Sequence, residues 1–119
     1  MAAKYKNVSC RCLQGHYHRS RGEAGHCNVL RLRQRKHEFY AYVVERRFPL
    51  VVQGMKICDH YPDFTLLDKN GLPLAIEEFK GFETPEWRIK MKLFQALNPS
   101  IPYRVIRAYG KDRKNGKIK

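Results

Sequence analysis

The chain has 119 residues, 43% hydrophobic and 12% aromatic, and carries 24 Lys and Arg against 11 Asp and Glu, a formal net charge of +13. That length fits one domain, residues 1–119, with a real core, and that apolar content excludes a disordered chain. The charge selects a polyanionic partner, and nucleic acid comes before a membrane surface because the basic residues are scattered rather than gathered into one amphipathic stripe.

No run of about 18 apolar residues is present, so no transmembrane span is expected. MAAKYKN at the start lacks the apolar core of a signal peptide. A cytoplasmic protein with reduced cysteines is the expectation.

Residues 1–19 read as an N-terminal arm and β-hairpin. Ser9–Arg19 (SCRCLQGHYHR) turns at Gln14-Gly15. Alternation puts Cys10 and Cys12 on one face of the outgoing strand and His16 and His18 on one face of the return. Cys10, Cys12, His16 and His18 are a candidate zinc set, with His26 or Cys27 as further donors. The competing reading is a basic hairpin with buried cysteines and exposed histidines. The spacing favours it, because Cys-x-Cys and His-x-His are not the tight Cys-x₂-Cys knuckle of most structural zinc sites.

A core over residues 20–108 follows. Ser20 is an N-cap and Glu23, three residues on, has the form of a capping box, so a helix is predicted to about Lys36. Ala24, Cys27, Leu30 and Gln34 share a stripe expected to be buried, with Arg31, Arg33, Arg35 and Lys36 as a basic outer surface. Glu23 has two readings, a cap or an acidic group turned toward a metal.

His37–Gln53 is strand material, predicted as the first core strand and split near Arg46-Arg47, with Pro49 at an edge or bulge. Glu45 could approach a site, but nothing in the sequence demands it. Gln53–Lys56 reads as a loop, and Asp59 and His60 as solvated. Tyr61–Leu67 and Leu74–Lys80 read as two strands joined by the turn Asp68-Lys69-Asn70-Gly71. Tyr61, Asp63 and Thr65 share one face of the first; Ile76, Glu78 and Lys80 share one face of the second, with Ala75, Glu77 and Phe79 opposite. Such a pairing brings Asp63 beside Glu78 and Lys80.

Thr84 caps a second helix, with Pro85 at its first position and Glu86 in its first turn, and Asn98-Pro99 ends it. Trp87, Met91 and Phe94 form one apolar row and Ile89, Leu93 and Leu97 another, both expected on the sheet. Arg88, Lys92 and Gln95 are the polar row, with Lys90 at the boundary. Tyr103–Ala108 is the last strand. Residues 109–119 are a basic tail suited to a phosphate backbone.

Two converging carboxylates bind a hard cation such as Mg²⁺ or Mn²⁺ through oxygen, and a neighbouring lysine offers charge to a phosphoryl transition state or holds a water. The natural substrate of such a group is a phosphodiester. Pro62-Asp63 and Glu78-Phe79-Lys80, with the two acidic residues fifteen apart, resemble the signature of the PD-(D/E)XK nuclease superfamily. Gly81, Thr84 and Lys90-Met91-Lys92-Leu93 are similar to small phage and prophage members near the Holliday-junction resolvases.

The resemblance implies an α+β, restriction-endonuclease-like core in the order αβββαβ, a central mixed sheet flanked by helices. It implies catalytic roles for Asp63, Glu78, Lys80 and Glu23. Asp63, Glu78, Glu23 and the backbone carbonyl of Phe79 would be metal ligands, and Lys90 would point toward the metal or phosphate. DNA contacts would come from Arg19, Arg21, Arg88, Lys90, Lys92, Lys111, Arg113 and Lys114. It further implies Mg²⁺ or Mn²⁺ without a nucleotide cofactor, DNA cleavage leaving a 5′-phosphate, a homodimer, and a phage- or prophage-encoded protein in a bacterial cytoplasm. In that family the N-terminal segment is a plain hairpin.

A reading from another class is a non-catalytic basic nucleic-acid-binding module, with or without a stabilising zinc ion, in which Lys80 is merely the ion-pair partner of surface carboxylates. A phage structural or packaging factor is a third. Strand phase discriminates, because only a nuclease requires Asp63, Glu78 and Lys80 on one side with apolar residues behind.

Overall fold

The computed structural model describes residues 10–18 and 20–107, and of Cys10 the backbone alone. The architecture is α+β. In chain order the elements are β1 (Cys10–Arg11), β2 (Tyr17–His18), α1 (Arg21–Arg35), β3 (Ala41–Val44), β4 (Phe48–Val52), β5 (Met55–His60), β6 (Phe64–Leu67), β7 (Pro73–Lys80), α2 (Pro85–Leu97) and β8 (Tyr103–Arg107). A four-stranded mixed sheet in the order β3-β6-β7-β8 is the centre, antiparallel except for the parallel pair β7/β8. β1/β2 and β4/β5 are separate antiparallel hairpins. With β4 and β5 set aside as an insertion, α1-β3-β6-β7-α2-β8 is the expected αβββαβ order.

Both helices begin where their caps place them. Ser20 Oγ accepts from the Glu23 N–H, and Thr84 Oγ1 accepts from the Trp87 N–H. The end of α1 has no glycine. His37 takes the left-handed conformation (φ 65°), with His37 N–H bonded to Gln34 O and Glu38 N–H to Arg33 O, a Schellman closure.

The stretch 37–53 differs from the expected single strand. β3 and β4 lie in different sheets, separated at Glu45, which has φ 54° and donates its N–H to the Asp63 carbonyl. Gln53 and Gly54 both have positive φ (50° and 80°), which makes a two-residue hairpin turn rather than a loop, and Met55 and Lys56 belong to β5. Glutamine is a poor signal for that turn, and solvent-facing Met55 and Ile57 hide the alternation of the strand.

Alternation along β6 and β7 divides the core between the sheet's two faces. On one, Phe64, Leu66 and Ala75 pack against Ala24, Cys27 and Leu30 of α1, with Phe39 and Cys12. On the other, Ile76 packs with Leu50 of β4 and Phe94 of α2, flanked by Phe48 and Tyr103. α1 lies so close to β7 that a Cβ at Gly22 would meet Phe79 Cε1 at 2.2 Å. Of the second apolar row on α2, Ile89 and Leu97 are exposed, so only Leu93 packs inward. Arg33 is likewise not outer surface, since it turns in to bond Glu77. Among the described residues no helix is long and apolar enough to cross a membrane.

Candidate functional site

Register brings the acidic residues together. Phe64 pairs with Glu77, which sets Asp63, just ahead of β6, opposite Glu78. The Asp63 N–H donates to Glu78 Oε1 at 3.0 Å, and the Phe79 N–H donates to Asp63 Oδ2 at 2.8 Å. Glu23, from the first turn of α1, reaches the Asp63 carboxyl within hydrogen-bonding distance. Its bond to the Ser20 cap is made by the backbone N–H. All three acids are buried. Lys80 Nζ lies 3.9 Å from Glu78 Oε2 and 4.9 Å above the Trp87 ring.

Burial, the Glu78 charge and Glu23 push the Asp63 carboxyl up to about 10. Burial also raises Glu78, against hydrogen bonds from the Asp63 backbone and Trp87 and the charge of Lys80. Three desolvated carboxyls with one ammonium are short of positive charge, so the group takes either protons or a cation. An all-oxygen donor set fits a hard divalent ion.

Residues that sequence reasoning assigned to core or solvent hold Glu78 in place. Trp87 Nε1 donates to Glu78 Oε2 at 3.1 Å, and the Tyr103 hydroxyl donates to Oε1 at 3.4 Å. His60, expected to be solvated, is buried with Nε2 at 2.7 Å from the Tyr103 hydroxyl. Burial, with Lys90 and Lys80 nearby, lowers His60 to about 4, so its ring is neutral at pH 7. Asp59 is half-buried and pairs with Lys56 and Arg47.

Asp63, Glu78, Lys80, Trp87, His60 and Asp59 line a cleft of about 210 Å³ that also takes in Tyr61, Thr84, Glu86 and Lys90. Lys90 is the one expected DNA contact that lines it, 4.0 Å from Glu86. Arg88 is exposed and paired with Glu83, and Arg21 and Lys92 are exposed. Arg19, Lys111, Arg113 and Lys114 lie outside the described residues.

The neighbouring glutamate has a different environment. Glu77 faces α1 and is bonded by His26 Nε2 (2.7 Å), both terminal nitrogens of Arg33 (2.9 and 3.0 Å) and Arg104 (2.8 Å). Burial alone would raise its carboxyl, but these donors outweigh it and hold Glu77 at about 2.

A second cluster sits where the N-terminal hairpin meets α1. One donor atom each from Cys12, His16, His18 and Cys27 lies within 4.8 Å of every other, an arrangement that could hold a metal ion. The side chain of Cys10 lies outside the described residues, and His26 is engaged with Glu77 instead. Of the two further donors that the sequence offered, Cys27 is the one that joins the set, and it comes from α1 rather than from the hairpin. His16 Nδ1 lies 3.2 Å from Cys27 Sγ, which is also 3.2 Å from the Tyr42 hydroxyl. Burial pushes the Cys27 thiol up to about 11.

Comparison with protein-family models, curated proteins and solved structures returns no match.

Proposed function

We propose that this chain is a metal-dependent endonuclease that hydrolyses DNA phosphodiester bonds, a PD-(D/E)XK enzyme in type. Glu23, Asp63 and Glu78 would hold Mg²⁺ or Mn²⁺, with the Phe79 carbonyl as a further ligand. The observation that carries this reading is the convergence of three buried carboxyls beside Lys80, two of which, Asp63 and Glu78, line one cleft with it. Carboxylates in a chain of net charge +13 repel the phosphate that the rest of the surface attracts, unless a cation bridges the two. The αβββαβ order adds support.

When bound, a divalent cation supplies Lewis-acid polarisation of a phosphate oxygen. The chain's own groups do the rest. The Phe79 N–H fixes the Asp63 carboxylate, and Trp87 and Tyr103 fix Glu78. Lys80 offers its ammonium where negative charge develops and holds a water for attack. Lys90, at the cleft lining, meets a flanking phosphate. In its finer form the proposal is a homodimer acting on branched DNA such as a four-way junction, where two symmetric strands need two cuts.

The test is cleavage of labelled linear duplex and four-way junction with Mg²⁺, Mn²⁺ or EDTA, for wild type, Asp63→Ala and Lys80→Ala. Metal-dependent cutting that either substitution abolishes, with DNA binding retained, is the expected result, and the preferred substrate separates a resolvase from a general nuclease. The Cys/His cluster favours a second reading, a zinc-stabilised binding module without catalysis. Binding without cutting on any substrate or metal would select it.

A further inference from the structure

We propose that Cys12, His16, His18 and Cys27 bind a structural zinc ion that fastens the N-terminal hairpin to α1, one helical turn from Glu23. The site is separate from the carboxyl cluster, and its existence does not depend on the nuclease reading.

The donor chemistry comes first. Two thiols and two imidazoles are a borderline-soft set that suits zinc and not Mg²⁺. All four ligand positions come from the protein, which makes the site closed and structural rather than catalytic.

The geometry agrees. A tetrahedral zinc with Zn–S near 2.3 Å and Zn–N near 2.1 Å separates its ligand atoms by roughly 3.4–3.8 Å. The four donor atoms here already lie within 4.8 Å of one another, and His16 Nδ1 to Cys27 Sγ is 3.2 Å. Rotamer adjustments of about an ångström close the set. Cys12, His18 and Cys27 are buried, while His16 is exposed and gives the ion a way in.

Two further observations point to a ligand. His18 Nε2 is buried without a hydrogen-bond partner. An unsatisfied buried polar group costs about 1–3 kcal/mol, and a Cys₂His₂ metal site gives such a ring its reason for being there. In addition, among the described residues β1 and β2 pair at two positions, Cys10/His18 and Arg11/Tyr17, and an isolated two-stranded hairpin is marginally stable at best. The Leu13 N–H to Asn28 Oδ1 bond at 2.8 Å ties the hairpin turn to α1 but is exposed. A metal bridging Cys12, His16 and His18 to Cys27 supplies the missing staple. A Cys12–Cys27 disulfide would join the same elements. It would leave two imidazoles converged on the sulfurs for no reason, and both cysteines are free thiols.

The consequence reaches the carboxyl cluster through α1. Glu23 and Cys27 are four residues apart on one helix, so a metal on Cys27 holds the turn that presents Glu23 to Asp63.

The experiment is elemental analysis of the full chain purified without chelator, followed by replacement of the metal with cobalt. The expected result is about one zinc per chain and, in the cobalt form, tetrahedral d–d absorption with a thiolate charge-transfer band. Cys12→Ser and His18→Asn should each lower the bound metal at least tenfold, whereas Cys58→Ser and Asp63→Ala should keep both metal and spectrum. Neither readout involves DNA, so a failure here is distinct from a failure of the nuclease proposal. Folded wild type with no zinc and no cobalt band would overturn the proposal without recourse to any variant. So would zinc retained by the Cys12→Ser/Cys27→Ser double variant, or a Cys12–Cys27 disulfide found by mass spectrometry without reduction.

Discussion

Glu77 and Glu78 are adjacent in sequence and opposite in environment, and Glu77→Gln separates a structural carboxylate from a functional one. Glu77 is 2% exposed and held by His26, Arg33 and Arg104. Its carboxyl is lowered from 4.5 to about 2, because these three donors outweigh the desolvation that would raise it. A depressed carboxyl contributes stability that is fully present above the unfolded value of 4.5 and is lost as pH falls toward 2. The gap corresponds to about 3 kcal/mol, and the half-exposed Arg104 screens part of that, which leaves about 2–3 kcal/mol. For a chain this size that is on the order of 10 °C in Tm. Urea denaturation at pH 7, 4.5 and 3 should find Glu77→Gln less stable by this amount at neutral pH, with the gap to wild type roughly halved by pH 3. The same variant should still cut DNA, whereas Glu78→Gln should not. A stability gap unchanged from pH 7 to pH 3 would refute the assignment of Glu77 as the ionised centre of this network.

Two more substitutions probe how the site is held. Gly22→Ala drives a Cβ to 2.2 Å from the Phe79 ring; it should cost about 1–3 kcal/mol in urea denaturation, and a smaller residue at Phe79 should recover part of the loss. Tyr103→Phe removes a donor to Glu78 and unpairs His60 Nε2. It should destabilise by about 1–3 kcal/mol and raise the Mg²⁺ concentration needed for half-maximal cleavage about tenfold, and an unchanged metal requirement would show that Tyr103 does not orient Glu78.

The placement of Asp63, Glu78 and Lys80 was legible because it depends on one hairpin, where a period of two and a strong turn set the register. Glu23 was legible as a cap, and its approach to Asp63 came only from the family likeness. Glu77 shows where such reasoning stops. Alternation put it on the face away from Glu78, but its partners lie 27 to 51 residues away in sequence, on α1 and β8. Arg33 was misplaced for the same reason, since helical spacing reports a face and not what covers it. His60 was read as solvated because its burial depends on β4 and β5, and their tight Gln53-Gly54 turn was not recognised.

Helix α1 joins these sites. One turn of it sends Glu23 toward Asp63, His26 toward Glu77 and Cys27 toward the hairpin histidines. Consecutive residues on a helix point about 100° apart, so His26 and Cys27 serve different neighbours, while Glu23 and Cys27, four apart, lie along one side. Gly22, immediately before Glu23, lets this turn sit against Phe79. The position of Glu23 is therefore set by the Phe79 ring beneath it, the Glu77 network beside it and the cysteine–histidine cluster at its far end. A carboxylate facing other carboxylates needs that constraint. Without it the Glu23 side chain would have room to leave the Asp63 carboxyl, and the group would drop from three acids to two.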